Sequence, residues 1–226
     1  MCQIFRIVNI LAGMVGMRLD RPPARLMVWG VLIICSLLLN KFVKDSGLVA
    51  WYITGAWAFY YLGNTIILGT PLRSWLIKRF GETRAWDIYE VVLGVMFANI
   101  ALSLSSLPLV YSQTLNLPTK TAVTISAGLF VVGFGSKVWS TWLTGLDVYY
   151  YNDLFLRKPN EKFITEGPYR WFKNPMYGIG NLHVYAAAVF FGSLEGLVWG
   201  MICHGSIYGF YLLIEKPFVK RVYQLE

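Results

Sequence analysis

Long apolar runs alternate with short polar segments along the first two-thirds of the chain. A helix needs about 20 mostly apolar residues to cross a bilayer. Four runs reach or approach that length, at roughly residues 26–42, 48–68, 88–109 and 122–143. Prolines suit the ends of helices because they lack a backbone N–H, and they stand at the edges of these runs, as Pro22, Pro23, Pro71 and Pro118. The pattern predicts an all-α protein, a polytopic transmembrane bundle of about four spans.

A fifth apolar region covers about residues 182–214 and is interrupted by Gly192, Ser193, Glu195 and Gly196. At about 1.5 Å per residue it is too long for one span and short for two. We therefore predict a C-terminal helical hairpin that turns near residues 192–196, with short, tilted or partly re-entrant arms.

The first 17 residues are also apolar, with Arg6 as the single charge. A signal peptide is one interpretation, but residues 18–25 offer no small-residue cleavage site. We predict an interfacial helix or an extra short span instead.

Composition and charge agree with a membrane protein. The 226 residues are 56% hydrophobic and 14% charged, whereas soluble proteins are about 25% charged. The net charge is +8, and most of the basic residues lie in every second polar segment. Since basic loops favour the cytoplasmic side, we predict that the long 144–180 segment and the C-terminal tail are both cytoplasmic. Basic loops of this kind favour contact with anionic lipid in a bilayer. Nucleic-acid binding is not predicted, because the sequence has no basic helix and no aromatic–basic motif. The three cysteines have neither metal-site nor disulfide spacing, and we predict no metal.

The 144–180 segment is the longest polar stretch and is rich in aromatic residues. One interpretation is an aromatic belt at the membrane interface, where Trp and Tyr are enriched. The other is the wall of a pocket that holds a flat or cationic ligand by stacking and cation–π contact. Two turns, Gly167-Pro168 and Asn174-Pro175, restrict the backbone here, and each is followed shortly by a tyrosine.

The run GPYRWFKNPMYGIG, from Gly167 to Gly180, resembles the GPYR…(R/K)(H/N)PMYxG motif of membrane-embedded S-adenosylmethionine-dependent methyltransferases. That group includes isoprenylcysteine carboxyl methyltransferases and phospholipid N-methyltransferases. The ending LLIEKPFVKRVY, from Leu212 to Tyr223, is similar to the E-E-P-F-x-x-x-Y tail of the phospholipid branch, with Lys216 in place of the second glutamate. Asn174 stands where other members have histidine. The resemblance covers roughly residues 130–223.

The resemblance implies an S-adenosylmethionine site at the cytoplasmic end of the last helices and an acceptor that enters from the bilayer. It implies N-methylation of the phosphatidylethanolamine headgroup by a methyltransferase core at 121–226, integrated with N-terminal transmembrane helices at 1–120. Glu215 would bind the cofactor's amino group, unless it pairs with neighbouring basic residues, and Arg170 its carboxylate. The implied cofactor-binding residues are Gly133, Gly135, Gly167, Tyr169, Arg170, Asn174, Pro175, Tyr177 and Glu215. The two glycines of the Gly133-Phe134-Gly135 run serve equally well for close helix packing.

An amine acceptor must be neutral to attack a methyl group, so a proton acceptor is required. The candidates are His183, Glu215, Asp153 and Asp147. Of these, we predict His183, Glu215 and Asp153 as catalytic. A structural, hydrogen-bonded role is the alternative for His183. The remaining histidine, His204, is predicted to be a polar residue in helix packing. Lys137 lies inside the fourth predicted span, where a charge suggests contact with a lipid phosphate or the cofactor; the alternative is a side chain that extends to the membrane interface.

Three other functions are considered. A carboxyl O-methyltransferase of the isoprenylcysteine type is compatible with the GPYR…PMYxG motif, but the Leu212–Tyr223 tail and the Asn-Pro-Met-Tyr form favour the phospholipid branch. A non-enzymatic scaffold or transporter would place polar residues along the spans, whereas here they gather in one segment. A nicotinamide-dependent, sterol-reductase-like enzyme has no specific support. The membrane itself would be a bacterial inner membrane or the endoplasmic reticulum, and the sequence predicts no oligomeric state.

Overall fold

The long apolar runs form long helices. The structure, a computed structural model, describes residues 3–159 and 163–223, and within these ranges it is a bundle of helices without strands. Four of the described helices are long and apolar enough to cross a membrane. They are α2 (Pro23–Asp45), α6 (Glu82–Val110), α7 (Thr119–Thr144) and a composite helix, Leu194–Val222. The predicted helical membrane bundle is confirmed.

The predicted second span, at about 48–68, is helical over its whole length but is not one of these four. It consists of α3 (Val49–Trp57), a π-helical turn (Ala58–Leu62) and α4 (Gly63–Gly69), which follow one another without a break. π-helical turns are rare, and those that occur are frequently found at functional sites. Here it carries two buried tyrosines, Tyr60 and Tyr61.

The C-terminal hairpin turns near Gly192, as predicted, but its arms are unequal and the expectation of two short arms is wrong. The first arm is short, with a 3₁₀ helix (Ile179–Tyr185) and α10 (Ala186–Phe190). The second runs through α11 (Leu194–Phe210), a π-helical turn (Tyr211–Glu215) and α12 (Lys216–Val222). The Ser193 side chain accepts a hydrogen bond from the Gly196 amide and caps α11, so Glu195 and Gly196 begin the helix instead of breaking it.

The N-terminal segment forms α1 (Gln3–Met14), whose 12 residues span only about 18 Å and cannot cross a bilayer. It packs against the rest of the bundle at the end of α7. The Tyr150 hydroxyl donates to the Gly13 carbonyl at 2.8 Å, and the Arg6 guanidinium lies 4.1 Å from the ring centroid of Trp142. The N-terminal segment is therefore a short helix, and its place as an interfacial helix or an extra short span stays a prediction.

The basic segments that were predicted to share one side do share one end of the bundle. Arg157 donates to the Leu68 carbonyl at 2.9 Å, and Arg73 donates to the Phe155 carbonyl at 2.7 Å. These contacts join the end of α4, the short α5 (Leu72–Phe80) and α9 (Asn152–Leu156), which follows α8 (Leu146–Tyr149). At the opposite end, the Gln113 amide donates to the Phe191 carbonyl at 2.9 Å.

A buried ion cluster at the basic end joins α2 to α6. Glu90 is 0% exposed and accepts from Arg18 at 3.0 Å, Arg21 at 2.6 Å and Arg25 at 2.7 Å. Arg18 also pairs with Asp147 at 2.5 Å. Burial alone would lower the pKa of Arg18, but its acidic partners raise it above its usual value. Asp147, one of the candidate proton acceptors, is therefore committed to this cluster.

Candidate active site

The motif between residues 174 and 180 folds as one compact turn. The Asn174 side-chain oxygen accepts from the Tyr177 amide at 3.1 Å, and its carbonyl accepts from the Gly178 amide at 3.0 Å. The Gly180 amide then donates to the Pro175 carbonyl at 2.7 Å, so close that a Cβ at Gly180 would lie 2.7 Å from that oxygen. Asn174, Pro175 and Gly180 thus shape the backbone, and Tyr177 points into the bundle.

Tyr177 connects the two motifs that carry the family resemblance. Its hydroxyl donates to Oε2 of Glu215 at 2.7 Å, across 38 positions of sequence. Glu215 ends the π-helical turn of the last long helix, and in the described residues it forms no ion pair with Lys216, Lys220 or Arg221. The expectation that the tyrosine-rich segment and the acidic tail meet at one end is confirmed.

His204 holds the backbone of Tyr177 in place, which the sequence analysis missed. Its Nε2 donates to the Tyr177 carbonyl at 2.8 Å, so Nδ1 is free to accept from the Tyr185 hydroxyl at 3.0 Å. The ring also stacks on Tyr208, with centroids 5.6 Å apart. His204 is a polar packing residue, as predicted, but the residue that it fixes belongs to the candidate site.

A cavity of about 100 Å³ lies beside Tyr177, between the N-terminal and C-terminal halves of the chain. Aromatic rings and three nitrogen-bearing side chains make up much of its wall. It is lined by Met14, Tyr60, Tyr61, Phe97, Ile100, Ala101, Leu104, Lys137, Tyr149, Tyr151, Met176, Tyr177, Asn181, His183, Val184 and Ile207.

Tyrosines from distant parts of the sequence converge on this cavity. The hydroxyls of Tyr60, on the π-helical turn, and Tyr151 lie 3.2 Å apart. Tyr151 packs on Phe210 with centroids at 5.1 Å, and Tyr60 packs on Phe97 at 5.4 Å. Electron-rich ring faces attract cations, so this wall is suited to a positively charged ligand group.

Lys137 and His183 each contribute nitrogen atoms to the cavity wall. Nζ of Lys137 donates to the Asn181 side-chain oxygen at 3.0 Å. Nδ1 of His183 donates to the Gly180 carbonyl at 2.7 Å, which leaves Nε2 of a neutral ring with a lone pair that can accept a proton. His183 thus lies among the cavity residues with Nε2 free, but burial and the nearby charge of Lys137 lower the pKa of His183 to about 3, which makes it a weak base.

Asp153 lies apart from the cavity lining, at the start of α9. One of its carboxylate oxygens accepts from the Leu154 amide at 2.8 Å. Burial raises the pKa of Asp153 to about 6, and the charge of Asp147 adds to the rise. Its carboxyl group therefore titrates close to neutral pH, as a group that exchanges protons during catalysis should.

Three other predicted site residues, Gly167, Tyr169 and Arg170, are not among the residues that line the cavity. Gly167 has a φ of +59°, a conformation that favours glycine, and a Cβ there would meet Leu143. Tyr169 is half-buried beside Ser140 and Thr144, and burial raises its pKa. Arg170 is exposed, and among the described residues it has no hydrogen-bond partner, so its role as a carboxylate ligand stays a prediction.

The two glycines of the Gly133-Phe134-Gly135 run have different environments. A Cβ at Gly133 would lie 2.3 Å from the backbone nitrogen of His183, so glycine is required for α7 to approach the 3₁₀ helix that carries His183. A Cβ at Gly135 would have nothing within 4 Å. The geometry accounts for Gly133 by packing and leaves Gly135 open.

We expect Gly133→Ala to weaken both folding and any activity of the site, because a backbone atom cannot move aside as a flexible side chain can. An overpacked site of this kind usually costs about 1–3 kcal/mol. Thermal unfolding in detergent micelles measures the effect. Gly135→Ala is the matched control and should leave the unfolding temperature unchanged or slightly higher, since alanine favours helix over glycine. Equal loss in both variants would contradict the packing role of Gly133.

The aromatic residues of the 144–180 segment divide between the two interpretations. Tyr150 and Phe155 are fully buried and Tyr151 lines the cavity, so this part of the segment builds the bundle and the pocket wall. Trp171 and Phe172 are exposed at the same end of the molecule, as an interfacial belt would be. The segment therefore contains rings that suit each interpretation, and the interfacial belt and the ligand pocket both stay predictions.

Comparison with protein families matches residues 121–226 to the family described as phospholipid methyltransferase. The C-terminal part of the chain is therefore similar to phospholipid methyltransferases. No curated protein and no solved structure gives a significant match to the chain. The matched phospholipid methyltransferase domain contains Tyr177, His204 and Glu215, while the first 120 residues lie outside it. The chain is thus an integral membrane protein with a phospholipid methyltransferase-type function.

Proposed function

We propose that the protein transfers a methyl group from S-adenosylmethionine to the amine of a phosphatidylethanolamine headgroup. The observation that carries this proposal is the hydrogen bond between Tyr177 and Glu215. It joins the two motifs that the phospholipid branch of the family has in common, at the edge of a cavity lined by tyrosines. In this proposal the site faces the cytoplasm, in keeping with the basic loops at the same end.

The residues present fit the charged end of such a cofactor. The half-buried carboxylate of Glu215 offers an acceptor for an ammonium group, and the tyrosine faces suit a sulfonium cation. The cavity, at about 100 Å³, is smaller than the roughly 300–1,000 Å³ of pockets that enclose a whole ligand. It would therefore hold only the reacting groups, with the remainder of each substrate along the exposed flank near Arg170.

The chemistry asks for alignment and for one proton acceptor. S-adenosylmethionine supplies an electrophilic methyl group on sulfur. The neutral amine nitrogen forms the new bond to that methyl carbon as the carbon–sulfur bond breaks, and the amine proton has to go to a base. His183, whose ring lines the cavity with a free Nε2, is the proposed first acceptor. Glu215 and Asp153 are the other proposed acceptors, and the apolar wall excludes water from the reacting atoms.

A cationic lysine in the cavity wall favours a neutral amine. The Lys137 ammonium lines the same space as Tyr177 and His183. A like charge close by disfavours protonation of an acceptor amine, and only the unprotonated amine can attack. Lys137 is therefore proposed to keep the headgroup nucleophilic.

The same lysine supports a second candidate function, methylation of a carboxylate as in the isoprenylcysteine carboxyl methyltransferases. A carboxylate acceptor would pair directly with the Lys137 ammonium, whose described hydrogen-bond partner is the neutral Asn181. Lys216 stands in place of the second glutamate of the phospholipid-type tail, and this difference is compatible with the alternative.

The experiment that separates the two functions offers labelled S-adenosylmethionine to purified protein with a panel of acceptors. Label in phosphatidylethanolamine and its mono- and dimethyl forms is the expected result. Label confined to prenylated thiol acids would replace the amine proposal with the carboxylate one. The absence of label in every lipid, together with no calorimetric binding of S-adenosylmethionine or S-adenosylhomocysteine, would overturn both.

Asp153 gives an expected pH dependence. Its folded pKa of about 6 lies above the unfolded value of about 4. The stability that it contributes is therefore fully present below pH 4 and is lost as the pH rises to 6. We expect Asp153→Asn to remove this part of the decline in unfolding temperature between pH 4 and 6.

If Asp153 accepts the proton, activity should rise with an apparent pKa near 6 in the natural protein and lose that step in the variant. An unchanged activity profile would assign the role to His183 or Glu215.

A further inference from the structure

A second recess lies on the outside of the bundle, at the basic end. We call it the arginine groove, and its volume is about 500 Å³. It is formed where the end of α4 and the start of α5 meet the last helix of the chain. It is lined by Gly69, Arg73, Arg157, Leu213, Ile214, Pro217, Phe218, Arg221 and Val222.

Two of the three arginines are fixed in position by the backbone. Arg73 donates through one nitrogen to the Phe155 carbonyl at 2.7 Å and through another to the Ser74 hydroxyl at 3.3 Å. Arg157 donates through one nitrogen to the Leu68 carbonyl at 2.9 Å, and its guanidinium lies 5.4 Å from the ring centroid of Phe218. These bonds use a minority of the five N–H groups that each guanidinium carries. The remaining donors are available in the groove.

The charge of the arginine groove has no counterpart in the part of the chain that is described. No acidic residue lines it, and none of the three arginines forms an ion pair among residues 3–159 and 163–223. Burial lowers the pKa of Arg157, and the charges of Arg73 and Arg221 lower it further. Three cations held close together repel one another, and a bound anion would relieve that repulsion. The arrangement is therefore the one expected of an anion-binding site.

The rest of the groove is apolar and open to lipid. Leu213 is 72% exposed on a helix that is long and apolar enough to span the membrane, and Ile214 and Pro217 continue that surface towards the arginines. A ligand that fits must therefore carry a compact negative charge next to a hydrocarbon part. Basic pockets between transmembrane helices bind anionic lipid headgroups for this reason.

We propose that the arginine groove binds the phosphate of an anionic glycerophospholipid, with the acyl chains against Leu213 and Pro217. The guanidinium groups of Arg73, Arg157 and Arg221 contact the phosphate, and a net-negative headgroup is bound in preference to a zwitterionic one. This site is separate from the cavity that contains Tyr177 and does not rest on methyl transfer.

The test is native mass spectrometry of delipidated protein in detergent, titrated with dioleoyl phosphatidic acid or dioleoyl phosphatidylcholine and without any methyl donor. The natural protein is expected to bind phosphatidic acid at least about tenfold more tightly than phosphatidylcholine. The double variant Arg157→Gln, Arg221→Gln should lose about tenfold or more in affinity for phosphatidic acid. Equal affinity for the two lipids in the natural protein would overturn the proposal.

Two further variants separate charge from folding. Lys78→Gln with Arg79→Gln removes two positive charges from α5, at the same end but outside the groove, and should change affinity by less than about twofold. Arg221→Gln alone leaves the backbone bonds of the other arginines intact and should still weaken binding by roughly threefold to fivefold. Equal losses in the control and groove variants would reduce the effect to general surface charge and overturn the site. Glycerol 3-phosphate that competes as well as the lipid would show a site for free phosphate, which also contradicts the proposal.

Discussion

Glu215→Gln is expected to weaken the binding of S-adenosylmethionine about 10- to 100-fold, with a matching or larger loss of methyl transfer. Glutamine keeps the size of the side chain and removes the charge that would bind the cofactor's ammonium group. A hydrogen bond to a charged group contributes roughly 1.5–3 kcal/mol, which corresponds to this range. Tyr177→Phe should cost less, because the ring stays in place and only the donor to Glu215 is lost. Tyr177→Ala also removes cavity wall and should cost more.

Isothermal titration of each variant with S-adenosylmethionine measures the effect. Tyr211→Phe is the matched control, since Tyr211 lies in the same π-helical turn and its ring packs 6.0 Å from that of Tyr177. Its hydroxyl has no hydrogen-bond partner in the described part of the chain, so binding should stay within about twofold. Natural affinity in Glu215→Gln would remove Glu215 from the cofactor site.

Glu90→Gln is expected to destabilise the folded protein by about 3 kcal/mol, the lower end of the range for a broken buried ion pair. Glu90 is the buried carboxylate that Arg18, Arg21 and Arg25 share. Each arginine keeps a second acidic partner, Asp20 and Asp147 for Arg18, Asp147 for Arg21 and Asp87 for Arg25, so no charge is left wholly unpaired. Arg18 is 3% exposed and cannot turn to water. Thermal or denaturant unfolding in detergent micelles measures the change.

Asp87→Asn provides the comparison for Glu90. Asp87 pairs with Arg25 at 2.5 Å, but its side chain is 36% exposed, and such surface pairs contribute about 0–1 kcal/mol. If both substitutions cost the same, the cluster around Glu90 would be no more important for folding than an ordinary surface pair.

The spans were predictable because hydrocarbon requires a long apolar run, and such a run is visible in the sequence. The unequal arms of the C-terminal hairpin were not. Glu195 and Gly196 look like a break in hydropathy, whereas the cap supplied by Ser193 places both in the first turn of α11. Capping depends on side-chain geometry, which hydropathy does not record.

The site was predictable where a motif or the topology constrains it. Alternating basic loops placed Tyr177 and Glu215 at one end, and the structure brings them into contact. The sequence could not show that Tyr60 and Tyr151 would meet, because they are 91 positions apart and no periodic pattern relates them. Nor could it separate Gly133 from Gly135, since only the neighbouring chain decides which of them needs to be glycine.

The cavity beside Tyr177 is lined by residues inside the family match and by residues that precede it. Met14, Tyr60, Phe97 and Leu104 contribute from the first half of the chain, and Met176 and Tyr177 contribute from the motif in the second. We therefore expect acceptor choice and donor use to be separable traits. A chimera that joins residues 121–226 to the N-terminal helices of another methyltransferase should keep its methyl donor and take its lipid preference from the new helices. Acceptor range could then diversify among relatives while the motif residues stay the same.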